Sequence, residues 1–449
     1  MNSRPQAPLG GADTGVGMGI RINRDRWCAR FVLAALAVCL AVLGAAPAQA
    51  SAASLEARLA KAVRESGLSG STSVVVYDDS AQQIRFQHRQ RRAVTPASNE
   101  KLYTAAAVLR GLGPEHRFQT TLALEGVQTG ERFDGTVYLI GGGDPTLSTR
   151  EFARRNQNGT GGNLERLTTL LGLRGISSIR GDLVVDESFL DSRRYVPSWP
   201  SRFRYDETTA LGGLTVNQSY LGRFLGGRAA AQPALHAGSV FVAELAERGT
   251  TVSGVVRAGV TPAAAERIGL VESPPLEDIV AFMNRRSDNF TAEILLKDLG
   301  RVKRGAGTTR AGGLAARQVL SELGLNLAGV TLADGSGLSS RNRTSARDIA
   351  DLLNVLDSDA TLAPAWMESL AVAGTSGTLK HRMRAFPYRG RVRGKTGTLR
   401  QSSALSGYAT RTGTGERYGF SVVTYTGGAQ VSYFAATRLQ DTIASILVR

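Results

Sequence analysis

After residue 50 the sequence contains no cysteine. Its two cysteines, Cys28 and Cys39, both come earlier, so the remaining chain has no disulfide and no thiol chemistry. Histidine is almost as scarce. His88, His116, His236 and His381 are scattered with no zinc-ligand spacing, and the sequence calls for no metal and no cofactor. Lysine is the third shortage, at positions 61, 101, 297, 303, 380 and 395 only, against 54 Lys+Arg in all. Arginine is the default cation here and cannot deprotonate. A lysine therefore marks a place where an amine able to lose its proton has a use. The apolar run from Phe31 to about Ala45 is short for a membrane span of about 20 residues. It follows Arg21, Arg24, Arg26 and Arg30, is broken by Pro47, and leads to Ala48-Gln49-Ala50, a small-x-small cleavage site. Residues 1–50 read as a signal peptide cut between Ala50 and Ser51. The mature chain then works outside the cytoplasm, in a periplasmic or cell-wall-associated place.

What remains is ordinary in composition, 42% hydrophobic and 20% charged, and long enough for more than one sizeable core. The formal charge of +16 first suggests nucleic acid. Export argues against it, and no aromatic-basic stripe supports it. A basic exported chain fits peripheral association with a polyanionic cell wall or membrane surface instead.

The chain is organised around Thr95-Pro96-Ala97-Ser98-Asn99-Glu100-Lys101. Pro96 suits the entry to a helix, Leu102, Ala105, Ala106 and Leu109 recur at helical spacing, and Gly111 is a stop signal. Ser98 and Lys101, three apart, project from one face of the first turn. The positive end of a helix favours a developing alkoxide and disfavours a lysine cation, which pushes Lys101 toward the neutral amine of a general base. A lone Ser-x-x-Lys is usually a polar first turn. This one is followed in order by Ser287-Asp288-Asn289 and Lys395-Thr396-Gly397. The three together are the motif set of penicillin-binding proteins and class A β-lactamases.

Other readings fail on spacing. Gly390 and Gly394-Lys395-Thr396 resemble a phosphate loop but have three residues between the glycines where four are needed, and no Gly-x-Ser-x-Gly is present. Patterning predicts helices over Ser54–Arg64, Leu164–Leu173, Ser239–Arg248, Leu276–Arg285, Phe290–Gly300, Ser345–Asp357 and Val431–Val448, with a longer one reaching about Leu323. Strands are predicted over Ser73–Tyr77, Ile84–His88, Phe118–Leu124, Thr136–Ile140, Leu183–Asp186, Val252–Ala258, Val392–Thr398 and Phe420–Tyr425. A β-rich block of about 150 residues thus separates two halves that share one set of motifs. The expected organisation is a signal peptide at 1–50, a parent domain at 51–117 and 268–449, and an inserted domain at 118–267.

With Gly142-Gly143-Asp144-Pro145-Thr146-Leu147, Gly181-Asp182-Leu183, Asp334-Gly335-Ser336-Gly337-Leu338 and Gly377-Thr378-Leu379 added, the chain resembles the D-alanyl-D-alanine carboxypeptidases of the class C low-molecular-mass penicillin-binding proteins, serine peptidase family S13. The resemblance implies an α+β fold: a transpeptidase/β-lactamase-like core, an antiparallel sheet flanked by helices, with a β-rich domain inserted between the first and second motifs. It implies a penicillin-inhibited enzyme acting on peptidoglycan stem peptides, as carboxypeptidase and also as endopeptidase. Ser98 would attack the penultimate D-Ala carbonyl and Lys101 take its proton. Ser287 would relay a proton to the leaving amine, and Asn289 orient the substrate amide and Lys101. Lys395 and Thr396 would bind the terminal carboxylate, beside Gly397 and Thr398, and the N–H groups of Ser98 and Thr398 would form the oxyanion hole. Two features depart from the family. Only about a dozen residues, Leu221 to Pro233, stand where longer members carry a third domain, and Ser340-Arg341-Asn342 has its arginine displaced by one position. A β-lactamase or esterase on the same core, and a non-catalytic wall-binding sensor, are the rival readings. The one Glu-x-x-x-Asn, Glu322 to Asn326, falls after the second motif, which disfavours a class A lactamase.

Overall fold

The computed structural model describes residues 53–222 and 225–449. The arginine flank, the apolar run, both cysteines and the cleavage site lie outside them. The described chain opens with helix α1 (Leu55–Glu65) and the hairpin β1 (Thr72–Asp78) and β2 (Gln83–His88). A single 3-10 turn, Ala97–Asn99, runs straight into α2 (Glu100–Leu112). Next come β3 (Gln119–Thr129), β4 (Arg132–Ile140), α3 (Arg150–Asn156), α4 (Leu164–Leu173), β5 (Ser178–Arg180) and β6 (Leu183–Asp186). The short α5 (Phe203–Asp206), α6 (Pro233–Ala246), β7 (Thr251–Val252), β8 (Val256–Ala258) and β9 (Glu266–Glu272) complete this stretch. The remainder is α7 (Leu276–Arg286), α8 (Asn289–Arg304), α9 (Thr309–Glu322), α10 (Ala346–Ser358), α11 (Ala363–Ser369), β10 (Ala371–Val372), β11 (Val392–Leu399), β12 (Ser402–Thr410), β13 (Arg417–Tyr425) and α12 (Tyr433–Val448).

The fold is α+β, with two sheets. The first is antiparallel throughout, in the order β10-β11-β12-β13-β1-β2. Alternating residues send its strands into two cores. On one face Ala404, Tyr408 and Val423 pack with α2, α7, α8, α9 and α10. On the other, Val74, Val76, Leu405 and Val422 pack with Leu55, Leu59 and Val63 of α1 and Leu439, Ile443 and Leu447 of α12. The second sheet has the order β7-β5-β4-β3-β9, with β6 joining β4 to β8. One side of it is covered by Leu164, Leu167 and Leu171 of α4 and Ala237, Phe241 and Leu245 of α6.

Two differences from the sequence reading bear on organisation. The boundary at 267/268 falls inside β9, which pairs with β3. The irregular stretch around 188–215 belongs with the first sheet's helices: Leu190, Val196, Trp199, Phe203 and Leu211 form a cluster with Phe290, Ile294 and Leu338. The predicted strand Val252–Ala258 is two short strands, β7 and β8, because each pairs with a different neighbour, β5 and β6. Ser54–Arg449 forms one compact unit.

Candidate active site

Ser98 lies in the 3-10 turn that opens α2. Ala97, just before it, sits at φ 51, a left-handed conformation that costs a non-glycine residue energy and is found mainly where neighbours over-determine it. The neighbours are visible. Asn99 Nδ2 donates to Ser406 Oγ at 2.7 Å, and Ser402 Oγ donates to the Thr95 carbonyl at 2.8 Å, so β12 holds the turn from one side. Gly337 (φ +89) and Gly397 also press against it. A Cβ at Gly337 would fall 2.0 Å from the Ala97 carbonyl oxygen, and one at Gly397 2.8 Å from that of Pro96. The glycine of Lys395-Thr396-Gly397 is thus explained by backbone meeting backbone.

Lys101 is fully buried. Its Nζ lies 3.1 Å from Ser98 Oγ, 2.6 Å from Asn289 Oδ1 and 2.6 Å from the Ser336 carbonyl oxygen. Burial lowers its pKa to about 8, while the carboxylates of Asp334, Asp288, Glu207 and Glu100 pull the other way. Asn289 is carried by the first turn of α8, whose N-cap is Asp288: its carboxylate accepts from Thr291 N–H at 2.7 Å. Ser287 caps α7 at φ 59. The left-handed step there lets α7 end and α8 begin two residues later, so Ser287 and Asn289 both face the site.

A second buried lysine completes the arrangement. Lys395 Nζ donates to Ser287 Oγ at 2.8 Å and to the Thr396 carbonyl at 2.8 Å. Burial, and then the Lys101 charge, hold its pKa well below the usual lysine range. Thr396 Oγ1 is paired with Thr378 Oγ1 at 2.8 Å. Thr398 is exposed on the outer edge of β11, and β10 covers that edge only at Arg393 and Gly394. From Lys395 onward the edge beside Ser98 is open to an extended peptide. Ser98, Lys101, Ser287, Asn289, Lys395, Thr396, Gly397 and Thr398 therefore all border one place, drawn from α2, the α7–α8 junction and β11.

Several participants carried no sequence signal of their role. The Asp334-Gly335-Ser336-Gly337 turn stood out as a motif, but not as the source of a carbonyl for Lys101. Asp334 organises it, accepting from Gly337 N–H (2.8 Å), Ser339 N–H (2.7 Å), Asn342 Nδ2 (2.7 Å) and Trp199 Nε1 (2.6 Å). Glu293 braces the same turn through Gly335 N–H at 2.8 Å, and burial pushes its pKa up to about 7. Asn289 Nδ2 donates to the Glu207 carbonyl at 2.9 Å. Glu100, beside Lys101, is buried with neither carboxyl oxygen hydrogen-bonded, and burial raises its pKa well above the carboxylate range.

A buried lysine beside a serine in a strained turn, with a second lysine on a second serine, is an arrangement suited to acyl transfer. The family model described as the D-Ala-D-Ala carboxypeptidase 3 (S13) family matches residues 55–221 and 211–447. The chain belongs to that family. A D-alanyl-D-alanine carboxypeptidase of an Actinomadura species is 32% identical over 454 residues, covering 82% of each chain. Penicillin binding protein 4 of Haemophilus influenzae, of which one structure is complexed with a novel β-lactam, shares the fold. The first structure gives a TM-score of 0.72 at 20% identity, covering 86% of this chain and 97% of that one. A predatory peptidoglycan endopeptidase from Bdellovibrio bacteriovorus gives 0.54 at 18%, covering 84% and 92%. The core is accordingly of the penicillin-binding-protein type.

Proposed function

We propose that this protein removes the terminal D-Ala from peptidoglycan stem peptides outside the cytoplasm, through an acyl-enzyme on Ser98. It is a serine-type D-Ala-D-Ala carboxypeptidase and a penicillin-binding protein. The observation that carries the mechanism is the buried Lys101 amine held between Ser98 Oγ, Asn289 Oδ1 and the Ser336 carbonyl. A peptide lies along the open edge of β11, its terminal carboxylate at Lys395 and Thr396. Ser98 Oγ attacks the penultimate D-Ala carbonyl as Lys101 takes the proton. The N–H groups of Ser98 and Thr398 receive the oxyanion. The proton passes by Ser287, held by Lys395, to the departing amine, the C–N bond breaks, and free D-Ala leaves. Water then attacks the ester, with Lys101 again accepting a proton, and restores Ser98. The same steps cut a cross-link when the leaving amine belongs to a second peptide. The segment from Phe118 to Glu272, less the stretch packed on α8, is an inserted module, and that stretch meets the site through Glu207.

A penicillin amide acylates the same serine but keeps its leaving amine tethered, which blocks the position that water needs. The test is a paired measurement of the lifetime of the penicilloyl adduct by intact mass and the release of D-Ala from a peptide ending in D-Ala-D-Ala. The adduct should last minutes or longer while the peptide turns over. Rapid multiple-turnover penicillin hydrolysis with no D-Ala release would make the enzyme a β-lactamase.

A further inference from the structure

A strongly basic stretch of the described chain lies outside the active site, in the loop that leads into β11. From Lys380 to Arg393 there are six Lys and Arg residues and no carboxylate. Two of the six have acidic partners: Arg382 pairs with Asp441 at 2.6 Å, and Arg393 approaches Glu368 at 3.6 Å. Lys380, Arg384, Arg389 and Arg391 have none among the described residues. At the tip, between Arg384 and Arg389, stands Phe386, 86% exposed. The surface continues beyond the loop. Arg449 lies over the Tyr388 ring at 5.2 Å, and also lines an open groove with Arg58, Arg438 and Phe434. Phe434 is 78% exposed. Asp441, the acid of that groove, is the one engaged by Arg382.

Here two nearly bare phenylalanines share one surface with unpaired cations. A soluble polyanion would be held by the arginines alone. Exposed aromatic rings set among unpaired cations are the composition of a surface that lies in the headgroup layer of an anionic bilayer, rings in the acyl boundary and guanidinium groups on phosphates. We propose that the Lys380–Arg393 loop, together with the α12 groove, is a membrane-contact face that docks the enzyme on anionic phospholipid. No helix of the described residues is long and apolar enough to cross a membrane. The proposed contact is peripheral, made by the folded surface. The inference rests on the extracytoplasmic location proposed above, but its test reads binding alone and not catalysis.

The experiment is co-sedimentation of the chain from Ser51 with vesicles of phosphatidylcholine, with and without phosphatidylglycerol at about one lipid in three. Binding should require the anionic lipid and weaken steeply with salt. Replacing Arg384, Arg389 and Arg391 by Gln should weaken it by roughly fivefold per arginine. Phe386→Ser with Phe434→Ser should weaken vesicle binding by about tenfold and leave retention on soluble polyphosphate unchanged. The Phe variant isolates the proposal, because both rings are exposed and the fold does not depend on them; an unchanged melting temperature checks this. Failure to bind phosphatidylglycerol vesicles at low salt overturns the proposal. So does a Phe variant that binds vesicles as the parent does, which would assign the face to a soluble wall polyanion. D-Ala release from a soluble peptide, measured alongside, reports separately on the proposed activity.

Discussion

Lys101 can serve as a base only if it loses its proton near neutral pH, and removal from water is what brings it there. With its pKa at about 8, the acylation rate should climb about tenfold per pH unit below that value and level off above it, as the neutral amine fills. Stopped-flow acylation by penicillin across pH 6 to about 10 measures this. A flat profile would place the base elsewhere. Ser98→Ala should abolish covalent labelling. Lys101→Arg should cost roughly two to four orders of magnitude, since it keeps the charge and loses the basicity. At Lys395, an arriving carboxylate favours the charged form and opposes the effect of burial. Peptides amidated at that end should show a raised KM, and a lowered kcat if the contact tightens in the transition state. Side chains of this kind are legible in a sequence because their chemistry belongs to the residue type. The Ser336 carbonyl was not, since a backbone oxygen has no residue signature. Nor was Glu207, whose backbone carbonyl is the nearer of its two contacts with Asn289 Nδ2.

At the scale of elements, the nucleophile's turn is held by two glycines from different parts of the chain. Gly337→Ala forces a Cβ into the Ala97 carbonyl and asks alanine to hold φ +89. The expected outcome is a folded protein whose penicillin labelling falls at least about tenfold, because a 1 Å misplacement of reacting groups is enough for that. Labelling rate set against melting temperature separates this from unfolding. Helices were the easier elements to read. α1, α2, α7 and α12 each show apolar spacing with a usable start or stop signal. β12 carries no strand signal. Its sequence, Ser402–Thr410, is short of large apolar residues and does not alternate, because it is central and buried nearly throughout, with small residues where two cores and the Ser98 turn crowd it. β9 carries none for the opposite reason: as an exposed edge strand it holds Glu266, Arg267 and Glu272, and reads as a loop.

For the molecule as a whole, the order of strands matters more than their number. β1 comes from the start of the described chain and β13 from its end, and they pair directly, Thr72 opposite Thr424. The second sheet, from Gln119 to Glu272, draws all its strands from one continuous stretch. α1 and α12 pack in the same core, so the two ends of this unit lie together. Joining Arg449 to Ser54 through a short linker, and reopening the chain at the exposed Gly130 turn between β3 and β4, should give a protein that still labels with penicillin. A permutant that folds without labelling, or does not fold, would show that connectivity as well as packing is required. The pairing of β1 with β13 also has a consequence for biogenesis. A chain threaded through a translocation pore from its N-terminus delivers β1 and β2 early and leaves them without their neighbour until the last strand emerges. The second sheet can close meanwhile. On the export route proposed above, Ser98 would acquire its geometry only once β11 and β12 had crossed, so the proposed nucleophile would be assembled at the end of export and stay inert on the way.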